Sequence, residues 1–133
     1  MTRRAIAIVA LALIPTAVAH ASSARSHTRT QVVRVTLKEY AILMPAKLRP
    51  GRTIFVLHNG GRFPHNFTAL YGPTRFHSPD VAPGTTLRLT ATLKPGAYLV
   101  GCTVLNGGHL AQGMYTLFTI GSRAHGSGKW HYP

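Results

Sequence analysis

Acidic side chains are nearly missing from this chain: Glu39 and Asp80 stand alone among 133 residues, against 15 Lys and Arg. There are thus no paired carboxylates for acid/base work, and no Ser-His-Asp set is discernible. Cysteine is scarcer still. With Cys102 the single thiol, no internal disulfide can form, and that thiol is left as a buried inert group, an intermolecular bridge or a ligand. Long helical periods and internal repeats are also absent. Together these absences exclude a disulfide scaffold and leave enzymatic turnover without support, so a carrier or binding protein is expected.

At this length the chain has room for one domain, able to bury roughly 65% of its unfolded surface, so a metal is not needed for stability. Abundant Val, Leu, Thr and Gly with nine Pro suit many short strands joined by turns. The N-terminus reads as a secretory signal peptide over residues 1–21: Arg3 and Arg4, an apolar run from Ala5 to Ile14, then small residues around Ala19-His20-Ala21. The run is too short to span a bilayer, and no transmembrane segment is expected in the mature chain. Export to a periplasm, cell envelope or extracellular space follows. Residues 22–31 form a polar, basic lead-in, 32–120 a single domain, and 121–133 a tail without period, expected to be disordered.

Within the domain, Val33, Val35 and Leu37 alternate with Arg34, Thr36 and Lys38, the pattern of a half-buried strand. Tyr40 to Leu48 is extended but interrupted by Pro45, which confines it to an edge or a bend. Thr53 to Leu57 looks apolar on both faces, as in the middle of a sandwich, with His58 meeting solvent at its end. Tyr71 to Gly84 is a long connection between two sheets, carrying His77 and Asp80. Thr86 to Leu93 alternates cleanly. After Pro95-Gly96, Ala97 to Cys102 sets Tyr98, Val100 and Cys102 on one inward face. Tyr115 to Ile120 closes the fold. The fold class expected is all-β, a Greek-key β-sandwich of about seven to eight strands.

The chemistry concentrates in CTVLNGGHLAQGM, Cys102 to Met114, where thiol, imidazole and thioether follow one another in one turn-rich loop. Two imidazoles, a thiolate and a weak axial thioether make the trigonal copper site used for electron transfer. The second imidazole has its best candidate in FPHNF, at His65, with Phe63 and Phe67 available as walls. The expected ligands of one type 1 copper ion are therefore His65, Cys102, His109 and Met114. Zinc also accepts Cys and His, but Met is a poor zinc ligand. His77 with Asp80, and His125 with His131 in the tail, are better read as solvated groups. Gly113 either lets the backbone pass close to the site or simply makes a turn.

From about Val32 to Ile120 the sequence resembles the small bacterial cupredoxins, the blue-copper or plastocyanin/azurin-like proteins, in VTLKEYAI, FVLHNGGRFPHNF, LKPGAYLVGC and GHLAQGMYTLFTI. The resemblance implies the same ligand set, with His65 first, Cys102 at a strand end, and His109 and Met114 from the loop. It also implies that Asn66 supports the site, its N–H donated to the Cys102 sulfur and its side chain bracing the neighbouring loop. Leu110 and Ala111 would form an apolar collar beside His109. The six residues between Cys102 and His109 exceed the usual family spacing, whereas copper-containing nitrite reductases carry a longer loop still.

The implied function is an exported carrier of single electrons. Two alternatives use the same residues: an envelope copper-binding or trafficking protein, and a copper-free binding module of the same fold. Without residues 1–21 the chain keeps 13 Lys and Arg and a formal charge of +11. Such a protein associates fastest with acidic partners, here an acidic redox protein or an anionic envelope surface. Nucleic acid is the generic reading of such charge, but export and the lack of a basic-aromatic array argue against it. A monomer is expected.

Overall fold

The computed structural model describes residues 29–123 and 129–133. The expected signal peptide and most of the lead-in lie outside those residues, as does His125.

Alternation decides the architecture. Val33, Val35 and Leu37 are buried along β1 (Gln31–Lys38), while Arg34 and Lys38 face out. β1 turns through Glu39 and Tyr40 into β2 (Ala41–Leu43), which pairs back on it. Pro45 then carries the chain across to the other layer, where β3 (Lys47–Leu48) lies parallel to β8 (Tyr115–Ile120). β4 (Gly51–Asn59) returns to the first layer, parallel to β1 in the register Val35↔Leu57 and Leu37↔Asn59. β6 (Thr86–Leu93) completes that sheet in the order β2-β1-β4-β6. The second sheet has the order β3-β8-β7-β5, with β5 (Thr68–Tyr71) and β7 (Gly96–Gly101) antiparallel. Residues 72–85 join β5 in one sheet to β6 in the other.

This is the all-β sandwich expected, with eight strands in two four-stranded sheets. The two inner faces meet around Phe55, which contacts Phe67, Phe76 and Phe118 at centroid distances of 5.1, 5.4 and 6.4 Å. Tyr98 stacks on Phe118 at 4.9 Å, and its hydroxyl donates to the Lys94 carbonyl (2.9 Å), which satisfies the polar end of a buried ring. Gly72 makes room for that ring: at φ +138°, a Cβ there would sit 2.4 Å from it.

Three expectations are corrected. β4 is not apolar on both faces in effect: Thr53, Phe55 and Leu57 are buried, whereas Ile54 and Val56 remain half-buried on the outer side. An unbroken apolar run does not reveal which of its faces is covered. The Cys102–Met114 loop is not all turns, because Val104–Ala111 winds into α1, interrupted by left-handed residues at Leu105, Asn106 and Gly107. The tail is not wholly without structure either. β9 (Ser122–Arg123) pairs with β10 (Trp130–His131), and Lys47 Nζ lies 5.3 Å from the Tyr132 ring. The aromatic residues give this end of the chain something to pack with.

Candidate metal centre

Two loops at one end of the sandwich supply the site. The first follows β4. Asn59, fully buried at the strand end, donates through Nδ2 to the carbonyls of Phe63 (2.8 Å) and Val81 (2.7 Å), and its Oδ1 accepts from the Gly61 N–H (2.8 Å). One amide thereby fixes the whole turn from Gly60 to Pro64. His65 then exchanges backbone hydrogen bonds with Val81 (3.2 and 2.7 Å), which locks its position against the long connection.

The second loop follows β7. Cys102 donates its N–H to the Met114 carbonyl (3.0 Å), and Met114 donates its own to His109 (3.0 Å), so thiol, imidazole and thioether residues close one small ring of backbone. Leu105, Asn106 and Gly107, with φ of 53°, 52° and 85°, turn the chain outward and back. That left-handed excursion takes up the extra residues between Cys102 and His109. Asn and Gly tolerate it, whereas Leu105 does so at a cost.

The donor atoms converge. His65 Nδ1 lies 3.7 Å and His109 Nδ1 3.6 Å from Cys102 Sγ, and the two nitrogens are 3.1 Å apart. A point about 2.0 Å from all three atoms exists in their plane, the length of a first-row metal–imidazole bond. Among the described residues this is the one group of three such side chains close enough to share an ion. Cys102, His65 and Met114 are fully buried and His109 is 4% exposed. A soft sulfur and two imidazoles in trigonal array, with a buried thioether residue alongside, fit copper better than zinc, which favours four tetrahedral N, S or O ligands.

Asn66 lies behind this triangle. Its N–H donates to Cys102 Sγ (3.4 Å), its Oδ1 accepts from the Thr103 N–H (2.8 Å), and its Nδ2 donates to Asp80 (3.1 Å). Asn66 therefore ties the two loops together across the sulfur. Burial and the neighbouring His109 hold the His65 ring below its ordinary pKa, favouring the neutral form a metal needs.

Two further histidines among the described residues stand apart. His58 and His77 are exposed and bonded to Thr86 (3.1 Å) and Thr68 (2.8 Å), and Asp80 serves Asn66. Of the two expected wall residues, Phe63 is exposed with its ring 6.5 Å from His109, while Phe67 belongs to the core. Leu110 is half-buried over Gly101, Ala111 is exposed, and Gly113 (φ +93°) has open space where a Cβ would go, which makes it a turn glycine.

Sequence reasoning missed two neighbours of the site, Glu39 and Tyr40, which occupy the β1–β2 turn. Tyr40 (φ +62°) sets its ring edge-on to His109 at 6.1 Å. The Glu39 carboxylate accepts from the backbone N–H groups of Arg62 and Phe63 and lies 3.7 Å from His65 Nε2. The one available signal was that Glu39 is among only two acids. Placing it requires the β1–β4 register.

No protein-family model and no curated protein matches the sequence. Solved structures do resemble it. Auracyanin from Roseiflexus castenholzii aligns with a TM-score of 0.58 at 16% identity, over 71% of this chain and 98% of its own. Auracyanin A, a blue copper protein from Chloroflexus aurantiacus, gives 0.57 at 17%, over 69% and 99%. The copper-containing nitrite reductase of Thermus scotoductus gives 0.52 at 20%, over 90% of this chain but 25% of the enzyme. At such identities the likeness establishes the fold: this chain has the cupredoxin sandwich.

Proposed function

We propose that the protein binds one copper ion through His65, Cys102 and His109, with Met114 as a weak axial ligand, and carries single electrons outside the cytoplasm. The observation behind this is the buried triangle of two Nδ1 atoms and one Sγ. Bound copper supplies a one-electron couple suited to these ligands in both oxidation states. The chain supplies the rest. Asn59 and the His65–Val81 bridge hold one imidazole, the Cys102–Met114–His109 backbone ring holds the other three groups, and burial keeps water away. Such bracing opposes rearrangement of the ligands, which suits a carrier better than a protein that hands its ion on. No helix among the described residues is long and apolar enough to cross a membrane.

Tyr40, Phe63 and Leu105 are exposed; the first two rings face His109, and Leu105 belongs to the same loop. This apolar rim supports a docking contact beside that imidazole, and the high positive charge favours an acidic partner.

Titration of purified protein with Cu(II), beside a Cys102→Ser variant, tests the reading. One equivalent should produce an intense visible band absent from the variant. A parent protein that folds yet stays colourless with excess Cu(II) would overturn the type 1 site; its Cu(I) affinity would then separate a copper carrier from a metal-free module.

A further inference from the structure

Three observations meet on the far side of the His65 ring from the sulfur. The first is an orphan: Nε2 of His65 is fully buried and has no hydrogen-bond partner. Such a group carries a desolvation cost and calls for an explanation. The second is the carboxylate facing it. Glu39 Oε1 is anchored by the N–H groups of Arg62 and Phe63 and stands 3.7 Å from Nε2. The third is the space that permits their approach. A Cβ on Gly61 would fall 2.6 Å from Glu39 Oε1 and 2.8 Å from His65 Nε2, so only glycine leaves the two groups facing each other. The two backbone donors face the carboxylate oxygen and favour its charged form.

We propose that Glu39 is a positioning residue for the metal: its carboxylate takes the Nε2–H of His65, fixing the tautomer whose bare Nδ1 faces Cys102 and placing a negative charge behind that ligand. The inference rests on the copper reading above and deepens it. A carboxylate behind a ligating imidazole orients the ring and raises its basicity. The greater basicity and the negative charge behind the ring favour the higher charge of Cu(II) over Cu(I). Glu39 therefore biases the site towards the oxidised ion, in a chain whose net positive charge favours the reduced one. The contact needs to shorten by less than 1 Å to become a hydrogen bond, within reach of a carboxylate on a turn.

Two variants separate charge from hydrogen bonding. Glu39→Gln keeps an acceptor for Nε2–H and for the two backbone donors but removes the charge, whereas Glu39→Ala removes both. In apo protein labelled with 15N at histidine, two-bond proton–nitrogen spectra should show His65 carrying its proton on Nε2 in the parent and in Glu39→Gln, and a mixture in Glu39→Ala. In copper-loaded protein, Glu39→Gln should shift the Cu(II)/Cu(I) preference about tenfold towards Cu(I), which for one electron is ~59 mV upward. A control, Thr90→Lys, adds the same unit of charge on exposed β6 and should not reproduce that rise. An unchanged potential in Glu39→Gln, a shift equalled by the control, or a parent His65 protonated on Nδ1 would each overturn the proposal. Should the parent fail to take up copper as a thiolate complex, the copper reading falls, and the apo tautomer still decides the role of Glu39. If Glu39→Ala does not fold, the parent tautomer and Glu39→Gln carry the test.

Discussion

The two imidazoles of this site are held in opposite ways. His65 sits in a turn pinned by one buried amide, bridged to Val81 and backed by an anchored carboxylate. His109 follows three left-handed residues, one of them an exposed leucine, and is bordered by aromatic rings open to solvent. One side of the site is tightly braced, and the other carries the left-handed backbone and the exposed apolar surface on which the docking contact is proposed.

The sharpest way to break this contrast is Asn59→Ala. It leaves the Phe63 carbonyl and the Gly61 N–H without their partner in a part-buried turn and takes one of two hydrogen bonds from the Val81 carbonyl, which keeps the one from His65; it should cost about 2 kcal/mol of apo-protein stability in denaturant unfolding. A loss no larger than that of an exposed substitution would show that the His65 turn holds itself. On the other side, Leu105→Gly removes a side chain that is 77% exposed at φ 53° and should stabilise by about 1 kcal/mol. Destabilisation there would mean that Leu105 is kept by packing, and that the loop is not the strained half. The smallest effect is the pH dependence of the apo protein. The folded His65 ring resists protonation while the unfolded one accepts a proton near 6.5, so below that pH the unfolded state binds more protons and stability falls; above it the contribution is complete. Glu39 adds a second decline in the same direction between about 4.5 and 2. A melting temperature that stays flat from pH 8 to 5 would show that His65 is not the tightly enclosed imidazole.

Much of the sandwich could be read from side-chain alternation, because β1 and β6 set mainly apolar residues inward against polar ones outward. β4 misled for want of that contrast, since Ile54 and Val56 are as apolar as their buried neighbours. The two-residue strands of the tail leave no periodic trace at all. In the site, the residue types of the Cys102–Met114 loop and of FPHNF carried the chemistry, since few other side chains here offer soft donors. Glu39 and Tyr40 stayed out of view because their place depends on β1 lying parallel to β4 with Leu37 against Asn59. A register between strands that are distant in sequence is a property of the assembled sheet. The left-handed turn within α1 was hidden for a different reason: Leu105 has no preference for it, and only its neighbours Asn106 and Gly107 do.

The nitrogens that face each other 3.1 Å apart belong to residues 44 positions apart in the chain. Their meeting requires the assembled sandwich, with β4 paired to β6 and β7 to β8, so the complete set of donors is a product of the fold, whereas in a zinc finger the metal produces the fold. Metal choice then becomes a question of place. Whichever ions surround the chain where it finishes folding have first access to the completed site, and local supply as well as affinity decides what it carries.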